Sequence, residues 1–153
     1  RPLRGFLTGT GKTALSRLDR TLIADLAPFE GMQAADLDTM RKEIAFQRTA
    51  AISDEEFCAS DVRFHRAVVE AAGNGPLNLM MYTVIESFMP ITNMIVSQVR
   101  ERHTVADFHE RIAGAIDARD AAEGTKTLGE LLIYLRNSYS MSLERRAQRD
   151  AEA

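Results

Sequence analysis

Apolar residues recur along most of this chain at steps of three and four positions, the spacing of an amphipathic α-helix. No stretch alternates between apolar and polar residues with a period of two, so the pattern does not predict a β-sheet. It predicts an all-α fold, an antiparallel bundle of about six or seven helices. The first helix is expected over residues 14–27, ending near Pro28 and Gly31, and the second over residues 35–51. The stripe of the second helix contains Leu37, Met40, Ile44 and either Gln47 or Arg48.

Capping residues mark two of the later helices. Ser53 and Glu56 have the spacing of a capping box at the start of the third helix, which is expected to end at Gly73 in a left-handed conformation. The fifth helix is expected over residues 104–118. Asp120 then has the position of an N-cap for the sixth helix, which leads into a charged, solvated tail over residues 144–152.

The fourth helix is the most apolar segment of the chain. Pro76 suits its first position, where the missing N–H has no helical partner. Pro90 falls in its middle and removes a backbone hydrogen bond, so a kink is expected there. We expect this helix to be mostly buried through a stripe that comprises Leu77, Met81, Val84, Phe88, Ile91 and Ile95.

Composition and charge narrow the class of protein. The chain has 153 residues, of which 45% are hydrophobic and 27% charged, as is typical of one globular domain. The single cysteine, Cys58, excludes an internal disulfide. A formal net charge of -3 has the wrong sign for a domain that binds nucleic acid by itself, because such a domain must neutralise phosphate charges. The start lacks a signal-peptide pattern, and the fourth helix holds too many polar residues for a membrane span. We therefore expect a soluble, cytoplasmic protein.

An acid and a histidine lie on one face of the third helix. Asp61 and His65 are four positions apart, in the same stripe as Phe57 and Phe64. Burying a carboxylate is costly unless it is paired or binds a metal, so two interpretations stay open. Either Asp61 accepts a hydrogen bond from His65 or caps a neighbouring group, or both residues are metal ligands. His109 on the fifth helix could complete a set of two histidines and one carboxylate, which suits zinc, nickel, manganese or iron.

Two segments carry motifs that extend beyond helical spacing. The run from Asp61 to Val68, with Gly73 and Asn74 after it, is similar to the pattern D-x-x-F-H-x-A-(I/L) ending in (A/S)-G-N. The second segment is similar to the pattern H-x-x-I-x-x-A-I followed by an aspartate, and it comprises His109, Ile112, Ala115, Ile116 and Asp120. Through these motifs the chain resembles the C-terminal effector-binding (FCD) domain of the FadR subfamily of GntR transcription regulators, over roughly residues 18–143. This resemblance implies a helical domain that binds a small organic acid or similar metabolite.

The resemblance also implies a divalent metal beside the effector, held by one aspartate and three histidines. Asp61, His65 and His109 match three of these ligands, whereas the fourth falls at about Leu131, which cannot coordinate a metal. Water, an effector carboxylate or Tyr134 could take the open position. Alternatively, the aspartate and histidines hydrogen-bond the effector without a metal. If a metal is bound, zinc, nickel or manganese is expected.

The same resemblance implies a division of tasks along the chain. Residues 1–8 are similar to the closing strand of a winged-helix wing, so residues 1–13 are expected to be the tail of an upstream DNA-binding domain plus a linker. Residues 14–153 would be the effector-binding and dimerisation domain of a homodimer, which is not an enzyme and contacts DNA only through that upstream domain. The candidate effector contacts are Asn74, Arg17, Arg102 and Tyr134. The alternative function is a non-haem metal-dependent enzyme that uses Asp61, His65 and His109.

Overall fold

Five helices make up the part of the chain that the computed structural model describes, residues 34–97 and 99–152. They are α1 (Ala34–Gln47), α2 (Asp54–Ala71), α3 (Gly75–Val96), α4 (Arg102–Asp117) and α5 (Ala121–Glu152), and they correspond to the second to sixth predicted helices. The described residues contain no strand, so the all-α prediction is confirmed. The first predicted helix, over residues 14–27, and the segment 1–13 lie outside the described residues.

The local signals for the helix ends are confirmed. Ser53 Oγ accepts from the Glu56 N–H at 3.1 Å, and the Glu56 carboxylate accepts from the Ser53 N–H at 2.7 Å, which completes the capping box of α2. Gly73 follows α2 with a φ of 66°, in the left-handed region. Asp120 Oδ1 accepts from the Glu123 N–H at 3.0 Å at the start of α5.

Burial along α3 differs from the prediction. Ile91, expected on the buried stripe, is 53% exposed, and Leu79, Met80 and Met94 are exposed as well. The expectation of a mostly buried helix is therefore wrong. The physical reason is that α3 packs against α2, where Ile85 and Val69 form a small core cluster, and less extensively against α5, while its exposed apolar residues are not covered by any of the described helices. The helix continues through Pro90, and the kink there stays a prediction.

The main core joins α1, α2, α4 and α5. Its largest fully buried side chains are Met40, Phe64, Ile116 and Leu131, each at most 1% exposed. A neighbouring cluster of Ile52, Phe57 and Val105 closes the end of the bundle where α2 and α4 begin. α2 therefore packs against three other helices, α1, α3 and α4. Polar groups from several helices can meet at its buried face for this reason.

The last helix is longer than its apolar stripe. α5 continues to Glu152 and includes the charged tail, whose residues 144–152 are all exposed as expected. No helix among the described residues is both long enough and apolar enough to cross a membrane. The cytoplasmic location stays a prediction.

Candidate functional site

Asp61, His65 and His109 come together inside the bundle. One potential ligand atom from each lies within 4.8 Å of the others, so the predicted grouping of these residues is confirmed. Asp61 and His65 share a face of α2 because they are one helical turn apart, and α4 brings His109 to them. Asp61 is 5% exposed and His109 is fully buried.

The Asp61 carboxylate is hydrogen-bonded by a residue of another helix and not by His65. Its Oδ2 accepts from Asn93 Nδ2 of α3 at 2.9 Å, in a buried hydrogen bond. Its Oδ1 lies 3.3 Å from His109 Nε2 and 3.8 Å from His65 Nε2. The longer distance is beyond a hydrogen bond, so Asp61 is not held by the proposed bond from His65. One carboxylate oxygen instead faces two imidazole nitrogens.

A relay of hydrogen bonds determines which nitrogen of His109 carries the proton. Ser60 has one hydroxyl hydrogen, which it donates to Glu43 Oε2 at 2.7 Å, so its oxygen can only accept from Gln47 Nε2 at 3.2 Å. The other end of the Gln47 amide, Oε1, therefore faces His109 Nδ1 at 2.7 Å and must accept from it. Arg63 holds the starting carboxylate of the relay in place with two hydrogen bonds to Glu43, at 2.7 and 2.9 Å.

The relay leaves a lone pair on His109 Nε2. Burial lowers the pKa of His109 from 6.5 to about 3, against the opposing effect of Asp61, so the ring is neutral and Nδ1 holds its single proton. Nε2 is buried and has no hydrogen-bond partner, and it lies 3.3 Å from the Asp61 oxygen. Burial also lowers the pKa of His65. Two electron-rich atoms this close in a buried site repel each other unless a cation lies between them.

The donor set fits a divalent transition metal. Two neutral imidazoles and one carboxylate are typical ligands of zinc and of related divalent ions, and three protein ligands leave coordination positions open. Phe64 supports this set because its ring stacks on His109 with centroids 4.1 Å apart, which restrains the orientation of the imidazole. Leu131, near which the resemblance implies a fourth ligand, is 1% exposed and belongs to the apolar core.

The other predicted site residues have separate surroundings. The Tyr134 hydroxyl accepts from the Glu101 N–H at 2.7 Å, and Arg102 donates to the Ile52 carbonyl at 2.7 Å and pairs with Asp54. None of these contacts involves the three metal-ligand candidates. Asn74 lies just before α3, where its carbonyl accepts from the backbone of that helix at 2.8 Å, and Arg17 lies outside the described residues. Their roles as effector contacts stay predictions.

Sequence reasoning missed three residues around this cluster. Gln47 and Asn93 both contact the ligand candidates, and Arg100 donates to Asn93 Oδ1. Gln47 carried a signal, since it is a polar residue in the apolar stripe of its helix and a buried amide needs a partner. Asn93 lies off the stripe that the sequence predicts to be buried, so its helix gave no signal for it. Arg100 had no such signal, because it lies in the connection between α3 and α4, where burial has no periodic pattern.

Comparison with known proteins gives one family. The model of the FCD domain matches residues 15–133, which is more than half of the chain and contains all three ligand candidates. No curated protein matches the sequence significantly. The chain therefore belongs to the FCD domain family, the C-terminal effector-binding domains of GntR-family transcription regulators.

Proposed function

We propose that this domain senses a small organic acid, or a similar metabolite, for a regulator of the FadR subfamily, with a divalent metal held by Asp61, His65 and His109. The observation that carries the metal proposal is the buried Nε2 of His109, which has no hydrogen-bond partner and lies 3.3 Å from a carboxylate oxygen. A cation there would turn a repulsive contact into two coordination bonds.

The residues around the ligands hold them in place. Gln47 keeps the proton on His109 Nδ1, so that Nε2 points its lone pair at the cluster. Asn93 restrains one oxygen of Asp61 and leaves the other facing the imidazoles. When bound, the metal would supply positive charge and open coordination positions for an acidic effector.

Regulation would follow from a shift between conformations. An effector that binds one arrangement of the bundle better than another favours that arrangement, and a dimer transmits the change to two DNA-binding modules. DNA would be contacted through a domain upstream of this one. The exposed apolar residues of α3 suit the symmetric interface of a homodimer, and they are Leu79, Met80, Ile91 and Met94.

Metal titration tests the coordination proposal. Metal-stripped protein is titrated with zinc, nickel, manganese and cobalt while the melting temperature and bound metal are measured. We expect stabilisation of the wild type, and its loss in Asp61→Ala and His109→Ala. His103→Ala is the matched control, because His103 is exposed on the same helix as His109. If no metal binds the wild type, or if the control loses binding equally, the coordination proposal is wrong.

The sensing proposal has its own test. Small organic acids are screened for an increase in the melting temperature of the protein, with and without metal. At least one acid should stabilise the folded protein in a saturable manner. A broad panel that gives no stabilisation in either condition would contradict the proposal that this chain senses an organic acid.

A further inference from the structure

Arg100 is a buried cation that makes no direct ion pair with a carboxylate among the described residues. It is 6% exposed, and its guanidinium lies 4.6 Å from the centroid of the Phe57 ring. It donates to Asn93 Oδ1 and, at 3.4 Å, to Cys58 Sγ, and neither an amide nor a thiol carries a full negative charge. A buried charge is costly unless an opposite charge compensates it. The charge of Arg100 therefore needs a partner beyond these direct contacts.

Asp61 is a buried acid that is linked to this cation. Asn93 joins the two residues, because its Oδ1 accepts from Arg100 and its Nδ2 donates to Asp61 Oδ2 at 2.9 Å. All three residues are at most 6% exposed. The other Asp61 oxygen faces the imidazoles of His65 and His109, and burial lowers the pKa of both rings, so that neither supplies a positive charge. One amide therefore separates a buried cation from a buried carboxylate.

The neighbouring arginines and acids already form ion pairs. Arg102 lies over the same aromatic ring as Arg100, at 5.9 Å, but it pairs with Asp54. Glu43, at the start of the relay to the histidine, pairs with Arg63. These pairs leave the two buried charges that the Asn93 amide bridges as partners of each other.

The positive charge of Arg100 acts on the metal-ligand cluster. Burial is the main cause of the low pKa of His109, about 3, and the charge of Arg100 lowers this pKa further. A divalent cation bound to the same imidazole would meet the same repulsion. The charge of Arg100 therefore bears on metal binding as well as on Asp61.

We propose that Arg100 is the counter-charge of Asp61 in the metal-free domain and that a divalent metal competes with it. The inference rests on the proposed metal site and concerns its regulation. Without metal, the buried guanidinium and carboxylate offset each other through Asn93, so the ligands stay together in a folded domain. With metal, Asp61 gains a second positive neighbour, and repulsion between the metal and Arg100 weakens metal binding. The metal is therefore exchangeable, and the fold does not depend on it.

A double-mutant cycle on the metal-free full chain tests the counter-charge. Arg100→Gln removes the positive charge and keeps a donor for Asn93, whereas Asp61→Asn removes the negative charge and keeps an acceptor. Each change alone leaves one uncompensated buried charge, so each should raise the unfolding equilibrium constant in urea. Asp61→Asn should raise that constant about tenfold less in the Arg100→Gln protein than in the wild type. In Arg41→Gln, which removes an exposed arginine paired with Asp117, Asp61→Asn should act as it does in the wild type.

Zinc affinity, measured by competition with a chelator, separates a counter-charge from a purely structural role. Folded Arg100→Gln should bind zinc about tenfold more tightly than the wild type, because a repulsive charge is removed. Arg100→Lys keeps the charge and should return the affinity towards that of the wild type. The loss of a purely structural contact would instead leave zinc affinity unchanged or lower it.

Three results would overturn the inference. The first is a cycle in which the effects of the two changes multiply to within about twofold. The second is zinc binding by folded Arg100→Gln that is no tighter than that of the wild type. The third concerns an Arg100→Gln protein that does not fold: Asp61→Asn should then restore folding, and its failure to do so counts against the counter-charge. If the wild type binds no metal, the coordination proposal fails, while the cycle still decides whether Arg100 compensates Asp61.

Discussion

Replacing Gln47 by leucine should weaken metal binding far more than it weakens the fold. Gln47 is 3% exposed, and its Oε1 accepts from His109 Nδ1 at 2.7 Å. Leucine has a similar size and removes that acceptor, which leaves a buried N–H without a partner. Ser60 loses one contact but still donates to Glu43 at 2.7 Å. The relay is therefore cut at a single point.

The expected magnitudes follow from this one lost bond. An unsatisfied buried donor costs about 1–3 kcal/mol of unfolding free energy, which lowers the melting temperature by a few degrees in a domain of this size. Losing the group that orients a ligating histidine typically costs about tenfold to a hundredfold in metal affinity. That corresponds to about 1.4–2.8 kcal/mol of binding free energy.

The assay separates the two effects. Urea unfolding of metal-free protein gives the stability of each variant, and competition with a zinc chelator gives its metal affinity. Gln47→Glu is the matched control, because its carboxylate still accepts from His109 Nδ1 and keeps the proton on that nitrogen. Its zinc affinity should equal or exceed that of the wild type, even though a buried carboxylate lowers its stability. If Gln47→Leu binds zinc within about twofold of the wild type, or if Gln47→Glu loses as much affinity, then the relay does not position His109.

Three further predictions concern the helix cap, acid stability and the fourth ligand. Ser53→Ala should lower the unfolding free energy in urea by about 1 kcal/mol, and Ser53→Asp should restore most of it; no loss would show that the cap contributes little. Because the pKa of His109 is about 3 in the folded state, against an ordinary 6.5, the unfolded chain takes up its proton first. The stability of metal-free protein should therefore fall as the pH drops from 6.5 towards 3, and His109→Gln should reduce this slope in urea titrations at a series of pH values. Leu131→His should destabilise metal-free protein by about 2–5 kcal/mol and strengthen zinc binding; unchanged zinc affinity would mean that position 131 does not reach the ligands.

The parts of the site that the sequence predicted are the short-range ones. The capping box at Ser53 and the pairing of Asp61 with His65 on one face depend on residues three or four positions apart, where helical geometry alone sets the relation. The grouping with His109 needed one further assumption, that its helix packs against the face of α2. Its apolar stripe and its match to the family pattern supported that assumption.

Helical spacing alone could not identify contacts between residues that are far apart in the chain. The stripe of the second predicted helix left Gln47 and Arg48 as equal alternatives, and only packing decided between them. Gln47 is buried against His109, whereas Arg48 pairs at the surface with Asp107 and Glu110. Tyr134 was expected as a possible ligand from its helical position, yet its hydroxyl accepts from the Glu101 backbone. A neighbouring chain segment supplied that donor, and periodicity along one helix does not show which segment lies opposite.

The sequence by itself therefore determined the helices, the caps at Ser53 and Asp120 and the pairing of Asp61 with His65, because each depends on local spacing along the chain. His109 was added by its match to the family pattern. Only the tertiary structure decided what surrounds those ligands. The proton on His109 Nδ1 depends on a relay from α1 and α2, and the support of Asp61 depends on Asn93 of α3. The burial of Arg100 and the exposure of Ile91 likewise depend on which helix faces meet. Burial and hydrogen-bond partners are properties of several helices packed together, and no single helix contains that information.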